Sequence, residues 1–232
     1  MLLHRTKILS LPKEILEYRL VGASHVSQLT ILDHPLITHK LAILRDKDTS
    51  PAQFKATLST LTALMSHDVL AHLATHDVTI TTPLEEMRTK MLVKAPVIAS
   101  ILRAGNGMAD DIFAIIPEAS MAHIGMQRDP QTHAPIFYYE KYPSDMAQRQ
   151  TILVDPMLAT GGSAIEAATR LKENGVSDIV FTCLVAAPEG VTAFHKAHRD
   201  ITIITAALDR QLNDNRYILP GLGDAGDRIF NT

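Results

Sequence analysis

"TILVDPMLATGGSAIEAA", residues 151–168, is apolar for four residues, meets an acid at Asp155, then breaks on small residues and two adjacent glycines. The leading run "TILV" is β-branched and too short for a helix, so it reads as a strand. The residues after the glycines, "SAIEAATRLKEN", read as a helix with Gly175 as its C-cap. Ser163 followed three residues later by Glu166 reads as a capping box at its start. Asp155 therefore stands at the carboxyl end of a strand, where open α/β sheets hold ligands. Glycines at 161 and 162 leave backbone N–H groups bare, and Thr160 and Ser163 add hydroxyls. Such a ring of donors at a helix N-terminus suits a phosphate. A plain strand-to-helix turn is the alternative; it explains one glycine but neither the flanking hydroxyls nor the preceding acid. No Lys follows the second glycine, which disfavours a Walker-type loop.

The rest of the chain continues this pattern. Short apolar runs recur at 96–101, 121–126, 178–187 and 201–208, several separated by helical stretches. Residues 51–73 carry Phe54, Leu58, Leu61, Leu64, Met65 and Leu73 at three- and four-residue steps, the period of a helix. Strands alternating with helices predict an α/β fold with a largely parallel sheet covered on both faces. No repeat or Pro/Gly/Ser-rich linker divides the 232 residues, a length suited to one domain with a sizeable core.

Composition narrows the function classes. With 22 basic against 25 acidic residues and no block of like charge, the chain gives no support for broad nucleic-acid binding. No apolar run approaches the ~20 residues needed to span a bilayer, so no membrane role is expected. The N-terminus lacks a signal-peptide core; it reads as an ordinary extension, with a weak transit peptide as the alternative. The lone Cys183 cannot form an internal disulfide, which fits a reducing compartment and a cytoplasmic protein. Cys183 reads as a buried small hydrophobe and not as a nucleophile. His67, His72 and His76 invite a metal reading, since His72 and His76 could share a helix face, but no further ligand is spaced to complete a site. They read as a solvated helix face, and His195 and His198 are read the same way.

"ILVDPMLATGGS" (152–163) resembles the substrate-binding signature of the uracil phosphoribosyltransferases, a branch of the type I phosphoribosyltransferases. "ILRAGNGM" (101–108), "VAAPEG" (185–190) and "YILPGLGDAGDRIF" (217–230) resemble further blocks of that family, and "HPLITHKLAILRDKDTS" (34–50) its N-terminal segment. The resemblance covers roughly residues 28–232 in family order, leaving 1–27 as an extension without a counterpart. It implies the type I phosphoribosyltransferase fold, with a small hood and a C-terminal base-binding region. It also implies synthesis of UMP and pyrophosphate from uracil and 5-phosphoribosyl 1-pyrophosphate (PRPP), with Mg²⁺ held through PRPP and no dedicated protein ligands.

The resemblance distributes roles along the chain. Asp155, Pro156, Met157, Leu158, Ala159, Thr160, Gly161, Gly162 and Ser163 become the PRPP segment, with the loop cradling the 5′-phosphate and Asp155 taking the ribose hydroxyls. Arg103 and Arg128 become the PRPP arginines, whose fork-shaped donors suit pyrophosphate. Residues 128–145 resemble a hood that closes over substrates. Ile218, Gly223, Asp224 and Ala225 become the uracil contacts, with Asp224 also reaching PRPP. Catalysis is expected from Arg103, Arg128, Asp155 and Asp224, chiefly by stabilising the departing pyrophosphate; no general base is assigned. Self-association as a homodimer or homotetramer is implied, whereas the GTP activation known in part of the family is not carried over.

Three positions depart from the family pattern: Asn106 replaces an apolar residue, Gln127 a tyrosine, and "HDVLAHL" (67–73) a Tyr-Glu-Ala-Thr-Arg-Asp-Leu-like block. The last bears on regulation or subunit contacts more than on chemistry. A phosphoribosyltransferase-like regulator binding nucleotides and RNA would favour a basic face with exposed aromatics, which the dispersed charges and absent Trp do not supply. A transferase for orotate would call for a basic residue near the base loop, and none precedes Arg228 there.

Overall fold

A computed structural model describes residues 29–128 and 135–232. The extension expected over 1–27 and the centre of the expected hood lie outside the described residues.

The chain builds one main sheet in the order β1-β10-β9-β7-β4-β5-β6. Its strands are β1 (Leu29–Ile31), β4 (Val97–Leu102), β5 (Ser120–Arg128), β6 (Pro135–Lys141), β7 (Thr151–Val154), β9 (Ile179–Ala186) and β10 (Thr202–Leu208), with the short β8 (Met157–Leu158) beside β9. All pairings are parallel except β5–β6. Every residue of β7 and β9 is buried. Strands covered on both faces need apolar side chains at each position, which is why these runs do not alternate. The fold class expected from the run lengths is the one observed.

Two helical layers provide that cover. On one face α1 (Pro35–Arg45), α2 (Pro51–Leu70), α3 (Asn106–Ile115) and α6 (Ala225–Phe230) pack Leu44, Phe54, Leu58, Ile112 and Ile229 against Ile98, Ile152 and Val154. On the other, α4 (Gly162–Glu173) and α5 (Pro188–Ala197) pack Ala164, Ala167, Leu171 and Phe194 against Val97, Ala99, Leu153 and Phe181. Odd and even residues of β4 and β7 thus go to opposite cores, as the strand period requires. Ser50 caps α2 by accepting from Gln53 N–H at 3.3 Å, with Pro51 in the first turn where its missing N–H costs nothing.

Several local expectations need correcting. Helix α2 ends at Leu70 and His76 lies in β2 (Thr75–Thr81), so His72 and His76 share no helix face. His195 and His198 are buried, not solvated. The Ser163–Glu166 capping box does not form: Gly161, at φ 87°, is the N-cap, and Glu166 pairs with Arg170 at 3.0 Å. Strand β2 pairs antiparallel with β3 (Glu86–Leu92) in a two-stranded ribbon that was not among the runs read as strands. The ribbon carries Val78, Ile80, Met87 and Met91 on one face and Asp77, Arg88 and Lys90 on the other. Ile80, Met87 and Met91 are exposed. None of the described helices is long and apolar enough to cross a membrane.

Candidate active site

The carboxyl ends of β4, β5 and β7 open into a cleft of about 800 Å³. Its floor is the loop after β7. Asp155 N–H donates to the Thr182 carbonyl at 3.2 Å, and Pro156 C=O accepts from Leu184 N–H at 2.9 Å. These bonds keep the loop against β9 while Asp155, Met157, Ala159 and Ser163 face the cleft. Ile165 N–H, bonded to Gly161 C=O at 2.8 Å, makes a first α4 hydrogen bond. The N–H groups of Gly162, Ser163 and Ala164 consequently have no partner within the helix, and they cluster at its positive end.

Glycine sits where the backbone is crowded. A Cβ on Gly190 would meet the Ala159 carbonyl oxygen at 2.3 Å and that of Leu158 at 2.7 Å, so α5 can press on the loop only through a bare Cα. In the turn after β4, a Cβ on Gly105 would meet the Ile101 and Val154 oxygens at 2.6 Å each. That turn carries Arg103 to the cleft, where its Nη2 lies 3.8 Å from Asp227 Oδ1 and its guanidinium 5.8 Å from the Phe230 ring centre. Beside it, the departure Asn106 accepts a 2.7 Å hydrogen bond from the hydroxyl of buried Ser100. Gln127, a second departure, lines the cleft. Arg128 is the last residue of β5, and the role expected of its side chain lies outside the described part of the structure.

The third wall comes from the C-terminal segment. Asp224 caps α6 by accepting from Asp227 N–H at 3.0 Å, and with Ala225 it faces the cleft. Ile218, in β12 (Ile218–Leu219), is packed into the core below, and Gly223 supplies a φ of 79° in the turn above. Arg228 turns away: it donates to the Leu44, Leu222 and Asp46 carbonyls and its guanidinium lies 4.4 Å from the Phe54 ring centre. Of the residues expected to bind ligand, Arg103, Asp155, Met157, Ala159, Ser163, Asp224 and Ala225 line one cleft. Pro156, Leu158, Thr160, Gly161 and Gly162 build the loop behind it. Sequence reasoning missed Asp214, Asn215, Arg216 and Tyr217, the tip between β11 (Gln211–Leu212) and β12, which also lines the cleft. The turn-forming run "NDN" before Tyr217 was the available signal.

The family model for uracil phosphoribosyltransferase matches residues 31–232. The chain belongs to that family. Uracil phosphoribosyltransferases of Acidovorax ebreus and Staphylococcus aureus (strain Newman) are 52% and 50% identical to it over 208 residues, covering 89% of this chain and all of theirs. A solved structure, the AQ2163 protein from Aquifex aeolicus, superposes with a TM-score of 0.83 at 30% identity, covering 88% of this chain and 98% of that one. The matched span takes in all three parts of the chain that line the cleft.

The cysteine and histidines lie elsewhere. Cys183 is fully buried, and burial pushes its thiol up to about 12, which suits a core residue and not a nucleophile. His198 Nε2 lies 3.2 Å from Thr169 Oγ1 and 3.0 Å from the Ile165 carbonyl, a clip between α4 and α5. Among the described residues, no group of three or more His, Cys, Asp or Glu side chains could hold a metal ion.

Proposed function

We propose that this protein transfers the phosphoribosyl group of PRPP to N1 of uracil, releasing pyrophosphate and forming UMP. The observation that carries the reading is the meeting of the glycine loop, the Arg103 turn and the Asp224–Ala225 segment on one cleft. In this reading the N–H groups of Gly162, Ser163 and Ala164 take the 5′-phosphate, and the hydroxyls of Thr160 and Ser163 complete the cradle. Asp155, at the carboxyl end of β7, accepts from the ribose hydroxyls. Arg103, resting 3.8 Å from Asp227, has a loose enough hold to turn onto pyrophosphate. Arg128 would join it there, and Asp224 would approach the ribose from the base side.

Uracil presents an acceptor, a donor and an acceptor along one edge, which main-chain amides and a carbonyl match. Ile218, Gly223, Asp224 and Ala225 offer that main chain. Cytosine would bring an amino donor against an N–H, and the unpaired polar groups would exclude it by about 10⁴-fold. Orotate's carboxylate would need a cation beside the base; Arg228 is committed to three carbonyls, and an orotate reading would have to use Arg216 on the cleft wall.

Displacement at the anomeric carbon builds positive charge on the sugar and negative charge on the leaving pyrophosphate. Arg103 and Arg128 stabilise the latter, and alignment of N1 supplies the rest. An Mg²⁺ bound through PRPP oxygens would keep several waters, which a carboxylate on the cleft wall such as Asp155 suits as acceptor, and that ion would add further charge neutralisation. A cytoplasmic setting and self-association as a dimer or tetramer complete the proposal, the first supported by a lone cysteine with no partner for an internal disulfide and the second by the exposed apolar face of the β2–β3 ribbon.

Pyrophosphate release measured with uracil, cytosine, orotate and hypoxanthine side by side tests the reading. Turnover with uracil alone is expected. Turnover only with orotate or hypoxanthine would overturn the substrate, and silence with all four would overturn the activity.

A further inference from the structure

Strands β5 and β6 do not pair evenly. Gly125 faces Tyr139, but the next residue, Met126, faces Phe137. Tyr138 is therefore the extra residue of a β-bulge, a device that re-aims one side chain and recurs beside active sites. Its two neighbours along the sheet are accounted for. Phe137 lies beneath the Arg170 guanidinium at 3.7 Å, and Arg170 belongs to α4, the helix that begins at the glycine loop. Gly125 pairs on its other side with Leu102, the residue before Arg103.

The bulge sends the Tyr138 ring across Gly125. A Cβ at residue 125 would lie 2.6 Å from Tyr138 Cε2 and 2.8 Å from Cζ, closer than atoms can approach, so glycine is what admits the ring. Tyr138 lines the cleft and is 52% exposed, although Gly125, over which its ring lies, is buried. An aromatic side chain that lies over the Gly125 backbone and is half exposed on the wall of the cleft that Arg103 also lines is placed to meet a ligand. A phenol O–H can donate without adding charge. Pyrophosphate carries only acceptors along its outer oxygens, and a donor reaching an anion makes a hydrogen bond stronger than a neutral one.

We propose that Tyr138 is a substrate-contacting residue whose hydroxyl donates to a pyrophosphate oxygen of PRPP and holds it as it departs. The inference rests on the uracil-and-PRPP reading and adds a donor from the β5–β6 pair to the cleft wall. It asks more of the β5–β6 pair than the arginine expected at its end.

Initial-rate kinetics with varied PRPP at saturating uracil, together with inhibition by inorganic pyrophosphate, test it on the full chain. Tyr138→Phe keeps the ring and removes the donor. It is expected to lower kcat/KM for PRPP and weaken pyrophosphate inhibition by about tenfold each, leaving the KM for uracil unchanged. Tyr139→Phe, one residue along on the same strand, is expected to match the wild type. Wild-type PRPP and pyrophosphate constants in Tyr138→Phe would overturn the inference while leaving the activity standing. So would a loss confined to the uracil KM, or an equal loss in Tyr139→Phe. A wild-type chain that forms no UMP would overturn both.

Discussion

Arg45 and Asp209, 164 residues apart in sequence, close on Gly221 from both sides. Arg45 makes two bonds to the Asp209 carboxylate, at 2.5 and 2.8 Å, and a third to the Gly221 carbonyl at 2.7 Å. Asp209 in turn accepts from Gly221 N–H at 2.9 Å. Gly221 has φ 63°, and a Cβ on it would strike the Ile218 carbonyl oxygen at 2.2 Å. The end of α1 and the end of β10 thereby set the turn that leads to Gly223 and Asp224.

Removing one partner of this pair should cost more than the pair itself contributes. The Asp209 side chain is 5% exposed and that of Arg45 22%, so Asp209→Ala leaves a largely buried guanidinium without its carboxylate. The expected loss is about 3 kcal/mol, visible as a lower urea midpoint, together with a raised KM for uracil because the turn is no longer held. Arg45→Met with Asp209→Leu should recover much of the stability but not the uracil affinity. An unchanged midpoint in Asp209→Ala would refute the clamp.

The loop after β7 should be as sensitive to α5 as to its own residues. Gly190→Ala places a methyl against two loop carbonyls that cannot both yield, so the loop must move. The expected result is a rise of about tenfold or more in the PRPP KM with about 1–3 kcal/mol of destabilisation. Gly175→Ala, at the far end of α4 with φ 85°, should cost about 1–2 kcal/mol and leave the PRPP KM alone. Kinetics and melting on both variants distinguish local loop distortion from general loss of stability.

What could be read beforehand follows from how tightly each residue is constrained. Strands β7 and β9 are buried on both faces, so nearly every side chain reports the fold, and the glycine pair marks an abrupt turn between strand and helix. The β2–β3 ribbon has little core of its own; His, Asp, Thr and Met share it, and no packing demand writes itself into the sequence. At α4, the capping pattern Ser163–Glu166 was present, but Gly161 at positive φ started the helix earlier and left Glu166 to Arg170. The buried histidines were legible in principle: Val191, Phe194, His195 and His198 recur at three- and four-residue steps, an inward stripe with His at two places. Tyr138 was hidden because a bulge shows only in the register between two strands.

Asn106, one of the departures, should matter for stability through Ser100. The Ser100 hydroxyl is wholly buried and donates to the Asn106 carboxamide oxygen at 2.7 Å. Asn106→Leu leaves that donor without an acceptor, at an expected cost of about 1–3 kcal/mol. Adding Ser100→Ala removes the stranded hydroxyl and should return most of the loss. Urea unfolding of the two single variants and the double variant gives the coupling directly; strictly additive losses would show that the hydrogen bond contributes nothing.

The buried imidazoles should give the protein a mildly acid-sensitive core. His195 is 4% exposed beside Phe194, and burial pulls it from 6.5 down to about 4. His198 is lowered in the same direction by the same cause, against the opposing pull of the Ile165 carbonyl, with Lys172 and Asp200 near it. An unfolded imidazole takes a proton as the pH drops below about 6.5, whereas the folded His195 resists until about 4. Protons therefore favour the unfolded chain across that window. Stability should be flat above about 6.5, fall by up to about 1.4 kcal/mol per pH unit on approaching 4, and lose nothing more from this residue below it. His195→Leu removes the group, so its unfolding free energy should fall less steeply than the wild type's between pH 7 and 5. The difference in slope is the readout, because the absolute stability of the variant also reflects packing against Phe194. Parallel curves for the two proteins would show that His195 does not titrate differently in the folded and unfolded states.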